Sequence, residues 1–371
     1  MSLHEKTIND YAPVDLKSDL EQNWGLPLSF YRGEDALNLD LRSIFRKSWQ
    51  YFCPAVKVAE PGNSTIGHVG DIPVVVIRDD EGVLHGFVNM CRHRGFPVAT
   101  KDQKNCNRLV CRYHAWSYHQ NGAFMYAPGC QDEKDFPEEK LGLKPVQVFE
   151  WGPGIFVNYD MDAPSFLDSH PEIAGERNKV GMDFSEDSYT WTHSTNHSVE
   201  SNWKVWYDNF VECYHCENIH RGSFAAAYEA DPKLVNTRFL GTFMSSQFPP
   251  KDRKSKTELR AGNYRSFNIF PGLLMLQHDD LMILSQMRPL GPETTEQRVD
   301  YFAQKGTSPE RVQQWIELWE ETFAEDGEAV SMQQKGLRTH ALERNRLLPD
   351  REEAVLFFNS LIVNAYVAHS G

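Results

Sequence analysis

No stretch of the 371 residues approaches the run of about eighteen apolar side chains that a membrane-spanning helix needs, and mean hydropathy is -0.54. A membrane span is therefore not expected. Positive charge is in short supply, with 38 Lys and Arg against 52 Asp and Glu and a formal net charge of -14. That balance argues against a nucleic-acid or anionic-membrane surface. Cysteine is scarce too: seven residues, too few and too scattered for a disulfide framework. The opening Met1-Ser-Leu-His-Glu-Lys is polar and lacks the apolar core of a secretory signal, so a cytoplasmic protein is expected. Repeats and low-complexity tracts are also missing. What is present is an acidic, globular composition, 40% hydrophobic and 12% aromatic, with length enough for two cores.

Texture changes along the chain. Residues 1–48 read as partly helical. From Trp49 to about residue 160, short apolar runs alternate with turns. Ile72–Arg78 and Val83–Asn89 flank Asp80-Glu-Gly, and Asn121-Gly122 separates Trp116–Tyr118 from Ala123–Tyr126, two hairpin signals. This segment is expected to be a small all-β domain. After residue 161 helical patterns return, with Trp203–His220 periodic and Ser308-Pro309-Glu310 opening a helix that continues through Trp315, Leu318 and Trp319. Between these lie strand-like segments at Ser266–Phe270, Leu273–Leu276 and Leu281–Ser285. The fold class is α+β: a small β-domain over 49–160 and a larger domain over 161–371, an antiparallel sheet gripped by helices, on which residues 1–48 pack.

Four of the cysteines stand beside histidines. Cys91-Arg-His93 is followed, after seventeen residues, by Cys111-Arg-Tyr-His114. Two thiolates and two imidazoles delivered from two loops suit a [2Fe–2S] cluster with Cys₂ on one iron and His₂ on the other. A structural zinc site is the alternative, but finger-type sites group like ligands together, whereas each loop here supplies one of each. Cys53, Cys106 and Cys130 have no such company and read as ordinary thiols. Cys91-Arg-His-Arg-Gly95 and Cys111-Arg-Tyr-His-Ala-Trp-Ser-Tyr118 resemble the Rieske motif of non-haem iron oxygenases. The resemblance extends over nearly the whole chain.

A second group lies in Glu212-Cys-Tyr-His215-Cys-Glu-Asn-Ile-His220. Two histidines and a carboxylate on one face of an iron leave positions for O₂ and substrate. On a regular helix His215 and His220 would point about 140° apart, so the helix must end or distort between them. Glu212, one turn before His215, is the local candidate for the carboxylate. The family resemblance implies a different role: Glu212 would bridge His215 to His114 of a neighbouring subunit in a homotrimer. It also implies that the iron carboxylate comes from a late helix, where Asp326, eleven residues before Leu337, matches the position. Glu321, Glu325 and Glu328 stand close by as rival carboxylates, and acidic residues on such a helix usually form a solvated face. Cys213-Tyr-His-Cys216 spells C-x-x-C, a redox or zinc pattern, embedded in the iron motif.

By this resemblance the chain is the oxygenase component of a Rieske system: a [2Fe–2S] cluster, a mononuclear Fe(II) and O₂, with NAD(P)H electrons arriving from a separate flavin and iron–sulfur reductase. Asn202-Trp-Lys-Val and Asp208-Asn-Phe-Val-Glu-Cys-Tyr-His-Cys look most like the branch acting on small quaternary ammonium compounds such as carnitine and betaines, oxidising a carbon next to nitrogen. An aromatic-ring-hydroxylating alpha subunit is the alternative within the class, and an electron carrier without oxygenase activity the alternative outside it. Trp203, Tyr207, Phe210 and Tyr214 form an aromatic stripe expected to pack into the core, with Tyr207 the one candidate for a cation-binding cage.

Overall fold

The structure, a computed structural model, describes residues 7–173, 188–231, 233–339 and 341–368. Among these the chain divides into two compact units. One takes in the chain up to Phe45 and again from His170 onward, and the other runs from Arg46 to Ser169.

The Arg46–Ser169 unit is built from strands β1 (Gln50–Pro54), β2 (Ser64–Val69), β3 (Ile72–Arg78), β4 (Leu84–Val88), β5 (Leu109–Val110), β6 (Ser117–Tyr118), β7 (Phe124–Tyr126), β8 (Pro145–Trp151) and β9 (Gly154–Asn158). Six form an antiparallel sheet in the order β1-β9-β8-β4-β3-β2, and β5-β6-β7 form a second, small sheet. Both expected hairpins are present, β3 with β4 and β6 with β7. In the second, Gly122 has φ +83°, and a Cβ there would lie 2.2 Å from the Phe87 ring, so only glycine fits. Strand β3 is buried on both faces. Val74 and Val76 pack into one cluster with Ile155 and Val157, while Val75 and Ile77 join Phe87, Tyr118, Cys91 and Cys111 in another. The period-2 alternation of one strand thus anchors both cysteine loops to the core.

In the other unit, β10 (Tyr189–Val199), β11 (Asn236–Leu240), β12 (Phe243–Phe248), β13 (Tyr264–Ile269), β14 (Leu273–His278), β15 (Leu281–Gly291) and β16 (Thr294–Gln304) form one antiparallel sheet. Its order, β10-β16-β15-β14-β13-β12-β11, is a six-strand meander with β10 laid beside the last strand. Helix α1 (Trp203–Val211) starts at Asn202, whose side chain accepts the Lys204 N–H, and packs on β15, β16 and two long helices, α3 (Pro309–Leu337) and α4 (Pro349–Ala368). The buried positions of α3 run 315, 318, 319, 322, 323, 326, 330, 334 and 337, one continuous face that includes Asp326. The N-terminal segment joins this unit through Asp40. Its buried carboxylate accepts hydrogen bonds from Trp203 Nε1 at 2.8 Å, from Lys204 Nζ and from Tyr366 Oη at 2.5 Å.

One expected element differs. The periodic segment Trp203–His220 is not one helix: α1 ends at Val211, Glu212 is extended (φ -123°, ψ 167°), and a single turn, α2 (Cys216–Ile219), follows. The break therefore falls before His215 and not between the two histidines. Its physical cause is Glu212 itself, whose carboxylate accepts the Tyr214 backbone N–H and so diverts a donor from the helix ladder.

Candidate active site

In the β-unit, the loops Cys91–Gly95 and Cys111–Ala115 repeat one backbone design. Each Cys N–H donates to the carbonyl five residues on (Phe96 at 2.8 Å, Trp116 at 2.9 Å). Each Cys carbonyl accepts from the residue four on (Gly95 at 3.0 Å, Ala115 at 2.9 Å). Gly95 and Ala115 both occupy the left-handed region, φ +77° and +60°. This folds each loop back, so that Cys91 and Cys111 are buried while His93 and His114 are exposed with ring centroids 4.8 Å apart. The His93 ring stacks on Trp116 at 4.9 Å and 7°. Tyr118 Oη accepts the Arg92 N–H and lies 3.2 Å from Cys91 Sγ. Arg94 Nη2 stands 3.2 Å from His114 Nε2, on the solvent side. The two imidazoles are thus brought together, and the two thiols share one buried cluster.

In the larger unit, the break at Glu212 and the turn of α2 bring His215 and His220 onto α3. His215 Nε2, His220 Nε2 and Asp326 Oδ1 lie 3.2, 3.0 and 3.4 Å from one another. Donors bonded to one metal at about 2.0–2.2 Å and near right angles to each other sit about 3 Å apart, so the three fit a single ion. The outer nitrogens are fixed as well. His215 Nδ1 donates to Glu212 Oε1 at 2.6 Å and His220 Nδ1 to Glu325 Oε2 at 2.8 Å, which directs both Nε2 atoms inward. Burial alone would push the Asp326 carboxyl up, but hydrogen bonds and charge from His215 and His220 bring it down to about 2. Burial opposes charge on His215 too, yet Asp326 and Glu212 hold it up at about 10. The cluster demands positive charge.

Beside it opens a cavity of about 220 Å³. Phe210, Phe224, Phe248, Tyr264 and Trp319 contribute to its walls, and the first turn of α4 brings Asp350, Arg351 and Glu353 to it. Glu212, Asp326, Asp350 and Glu353 give four carboxylates against one guanidinium, and Arg351 is already paired to Asp231 at 3.0 Å.

The sequence matches the Rieske [2Fe-2S] domain over residues 48–148 and the ring hydroxylating alpha subunit (catalytic domain) over residues 186–368. The chain belongs to the Rieske non-haem iron oxygenases. It is similar to the carnitine monooxygenase oxygenase subunit of Acinetobacter pittii, 27% identical over 368 residues covering 94% of this chain and 97% of that one. It is also similar to the chloroplastic choline monooxygenase of Atriplex hortensis, 26% identical over 96% of this chain and 80% of that one. Its fold is that of a quaternary ammonium Rieske monooxygenase, with a TM-score of 0.86, 24% identity, and coverage of 96% of this chain and 99% of the other.

As a Rieske oxygenase the protein is an oxidoreductase that works with a [2Fe–2S] cluster, a mononuclear iron and O₂. Among its described residues no helix is long and apolar enough to cross a membrane. Two neighbours of the His/Asp cluster escaped the sequence reading. Glu325, expected on a solvated face, instead holds His220 and accepts from Ser223 Oγ at 2.5 Å. Asn209 Nδ2 donates to Asp326 Oδ1 at 2.7 Å. Cys213 and Cys216 are joined as a disulfide, so the C-x-x-C pattern offers no thiol pair for zinc. The aromatic stripe also divides differently. Trp203 and Tyr207 are core residues, with the Tyr207 ring 4.2 Å from that of Phe358 and tilted 40° to it, while Phe210 lines the cavity and Tyr214 is exposed. Tyr207 is not a cage residue.

Proposed function

We propose that this Rieske oxygenase oxidises a C–H bond next to nitrogen in a small quaternary ammonium compound. The observation that carries this reading is the charge of the cavity. Its carboxylates outnumber its one guanidinium so far that a dication at the His/Asp cluster would not make it positive, and its aromatic walls suit an alkylammonium group. The relatives that act on carnitine and choline support the same class.

In this reading Cys91 and Cys111 hold one iron of the cluster and His93 and His114 the other; His215, His220 and Asp326 hold the mononuclear iron. The iron centres supply reductive activation of O₂: one C–H bond, O₂, two electrons and two protons become C–OH and water. A hydroxyl placed on a carbon bearing nitrogen then collapses to an amine and an aldehyde. The protein's own contribution is orientation and charge. The aromatic walls keep water from the ammonium group, and Glu325 and Glu212 hold the imidazoles in register. Glu212 would also link His215 to His114 of a neighbouring copy in a homotrimer, with a flavin and iron–sulfur reductase delivering NAD(P)H electrons to the cluster.

The test is reductase-coupled consumption of O₂ and NADH against carnitine, choline, betaines and aromatic acids. Stimulation by ammonium compounds with aldehyde release is expected. Stimulation by aromatic acids alone, with ring-hydroxylated product, would reverse the substrate class. Metal analysis separates oxygenase from electron carrier, since two irons per chain in place of three would remove the second centre.

A further inference from the structure

Behind His215 lies a second cavity, of about 280 Å³. It shares Asn209, Glu212 and His215 with the first, so these three residues stand between the two. Its other polar walls are Tyr31 of the N-terminal segment, Asp208 of α1, and Glu352 and Asn359 of α4. Among the described residues that line it there is no lysine or arginine. Asp208, Glu212 and Glu352 thus face one space without a fixed cation on its walls, and carboxylates so placed do not all ionise together near neutral pH. Hydrogen bonding says which of them keeps a proton. Glu212 accepts from two N–H donors, His215 Nδ1 at 2.6 Å and the Tyr214 backbone, so it is the ionised one. Glu352 accepts the Leu348 N–H at 2.8 Å. The Asp208 carboxyl has one partner, Tyr31, whose Oη lies 2.8 Å from Asp208 Oδ2 and 3.5 Å from Asn359 Oδ1. That hydroxyl serves either state of Asp208. It donates to a carboxylate, or accepts from an acid and turns its own hydrogen toward Asn359.

We propose that Asp208, with the Tyr31 hydroxyl as its relay, is the proton store of the oxygenase, and that it supplies one of the protons O₂ reduction consumes by way of the second cavity. Burial, with Glu352 and Glu212 adding to it, pushes the Asp208 carboxyl up to about 8, against the pull of Tyr31 and of Lys204. Lys204, one turn earlier on α1, is itself engaged by Asp40. Asp208 therefore holds its proton at neutral pH and gives it up readily. In each turnover one C–H bond, O₂, two electrons and two protons become C–OH and water. The Asp208 O–H bond breaks to release one of these protons to water in the cavity, a polar space with room for it. The carboxylate left behind is steadied by Tyr31, now a donor. It regains a proton from solvent past Ile219 and Gln333, exposed residues on the cavity rim. Negative charge arriving as electrons is thus matched by a proton entering beside Glu212 and His215. This role does not depend on which substrate occupies the first cavity.

The experiment follows O₂ consumption by the iron-loaded enzyme and a reductase from about pH 6 to about pH 10, with choline and with no organic substrate. Without substrate the same electrons and protons leave as hydrogen peroxide. The wild-type rate is expected to fall as pH rises through about 8, where Asp208 loses its stored proton. Asp208→Asn, which keeps the shape and cannot titrate, is expected to be slower by about 100-fold and to lack that alkaline limb, with iron content and cluster spectrum unchanged. Infrared spectra of the resting enzyme supply the readout apart from activity. A protonated-carboxyl band that disappears through about pH 8 in the wild type is expected to be missing from Asp208→Asn. Tyr31→Phe makes the second test should the asparagine variant not fold: it keeps the infrared band and slows O₂ consumption. Wild-type rates in Asp208→Asn overturn the proposal. So does a slowed Asp208→Asn that keeps the alkaline limb, since Asp208 then only supports the fold. An infrared band that survives the substitution places the proton on another carboxyl and overturns it too.

Discussion

Glu212 is the residue on which the proposed electron route can be separated from simple support of the iron. Its Oε1 accepts from His215 Nδ1 at 2.6 Å and its Oε2 from the Tyr214 N–H. In Glu212→Gln one of these oxygens becomes an NH₂ facing a donor, and the charge is lost. A charge-assisted hydrogen bond is worth about 1.5–3 kcal/mol, and removal of such a partner weakens metal binding by about 10- to 100-fold. That deficit is restored by excess Fe(II). A lost electron path is not. The expected result is therefore a variant that loads both centres in excess iron, yet turns over about 100-fold more slowly per bound iron. Glu212→Asp should behave alike, because one methylene withdraws the carboxylate by about 1.5 Å and takes the 2.6 Å contact out of hydrogen-bonding range. The assay reduces the cluster, mixes with O₂ and substrate, and follows the visible spectrum through one turnover. Rapid cluster oxidation in iron-loaded Glu212→Gln would refute the bridge and leave Glu212 as a support for His215 alone.

Three further outcomes are expected. Asp326→Ala should lose the mononuclear iron while keeping the visible spectrum of the cluster, read by metal analysis beside absorbance. Asp40→Asn should destabilise the larger unit by about 3–5 kcal/mol in urea, because it leaves the Lys204 ammonium buried without its counter-charge. His170 is buried, which lowers its pKa to about 4. The unfolded chain binds that proton below pH 6.5 and the folded one does not, so about 3 kcal/mol of stability present above pH 6.5 is lost as pH falls toward 4, and His170→Gln should flatten that slope in acid titrations.

The two residue groups proposed to hold metal stood out because most of their members are near neighbours in sequence. Spacing alone was enough to pair Cys91 with His93 and Cys111 with His114, and the backbone design that presents them is local. Asp326 was reached through family position, although a physical signal was available. It continues the apolar stripe of α3 through 319, 323 and 330, where a carboxylate is buried and needs a cation. Glu325 sits off that stripe, and nothing in its spacing announces a histidine across the chain. The end of α1 was misplaced because aromatic periodicity continues past Val211, while the competing Glu212 hydrogen bonds are invisible to a pattern count. The cavity's sheet wall was beyond reach for a different reason: residues such as Thr237, Ser246 and Ser266 become neighbours only through strand register.

If Glu212 joins two chains, the smallest competent unit is a pair: a donor supplying His114 and an acceptor supplying Glu212. Each single variant, His114→Ala or Glu212→Gln, then breaks every such pair in a uniform assembly. A mixed assembly does not. A Glu212→Gln chain keeps its donor side and a His114→Ala chain keeps its acceptor side, so that order around the ring is intact while the reverse order is doubly broken. In a cyclic trimer assembled at random from equal parts of both, about a quarter of the chains are intact acceptors next to intact donors, which sets the expected activity at about a quarter of wild type. An electron path confined to one chain predicts none, since every chain carries a lesion. Co-expression of the two variants, checked for equal incorporation by mass spectrometry, distinguishes the two without reference to which ammonium compound is the natural substrate.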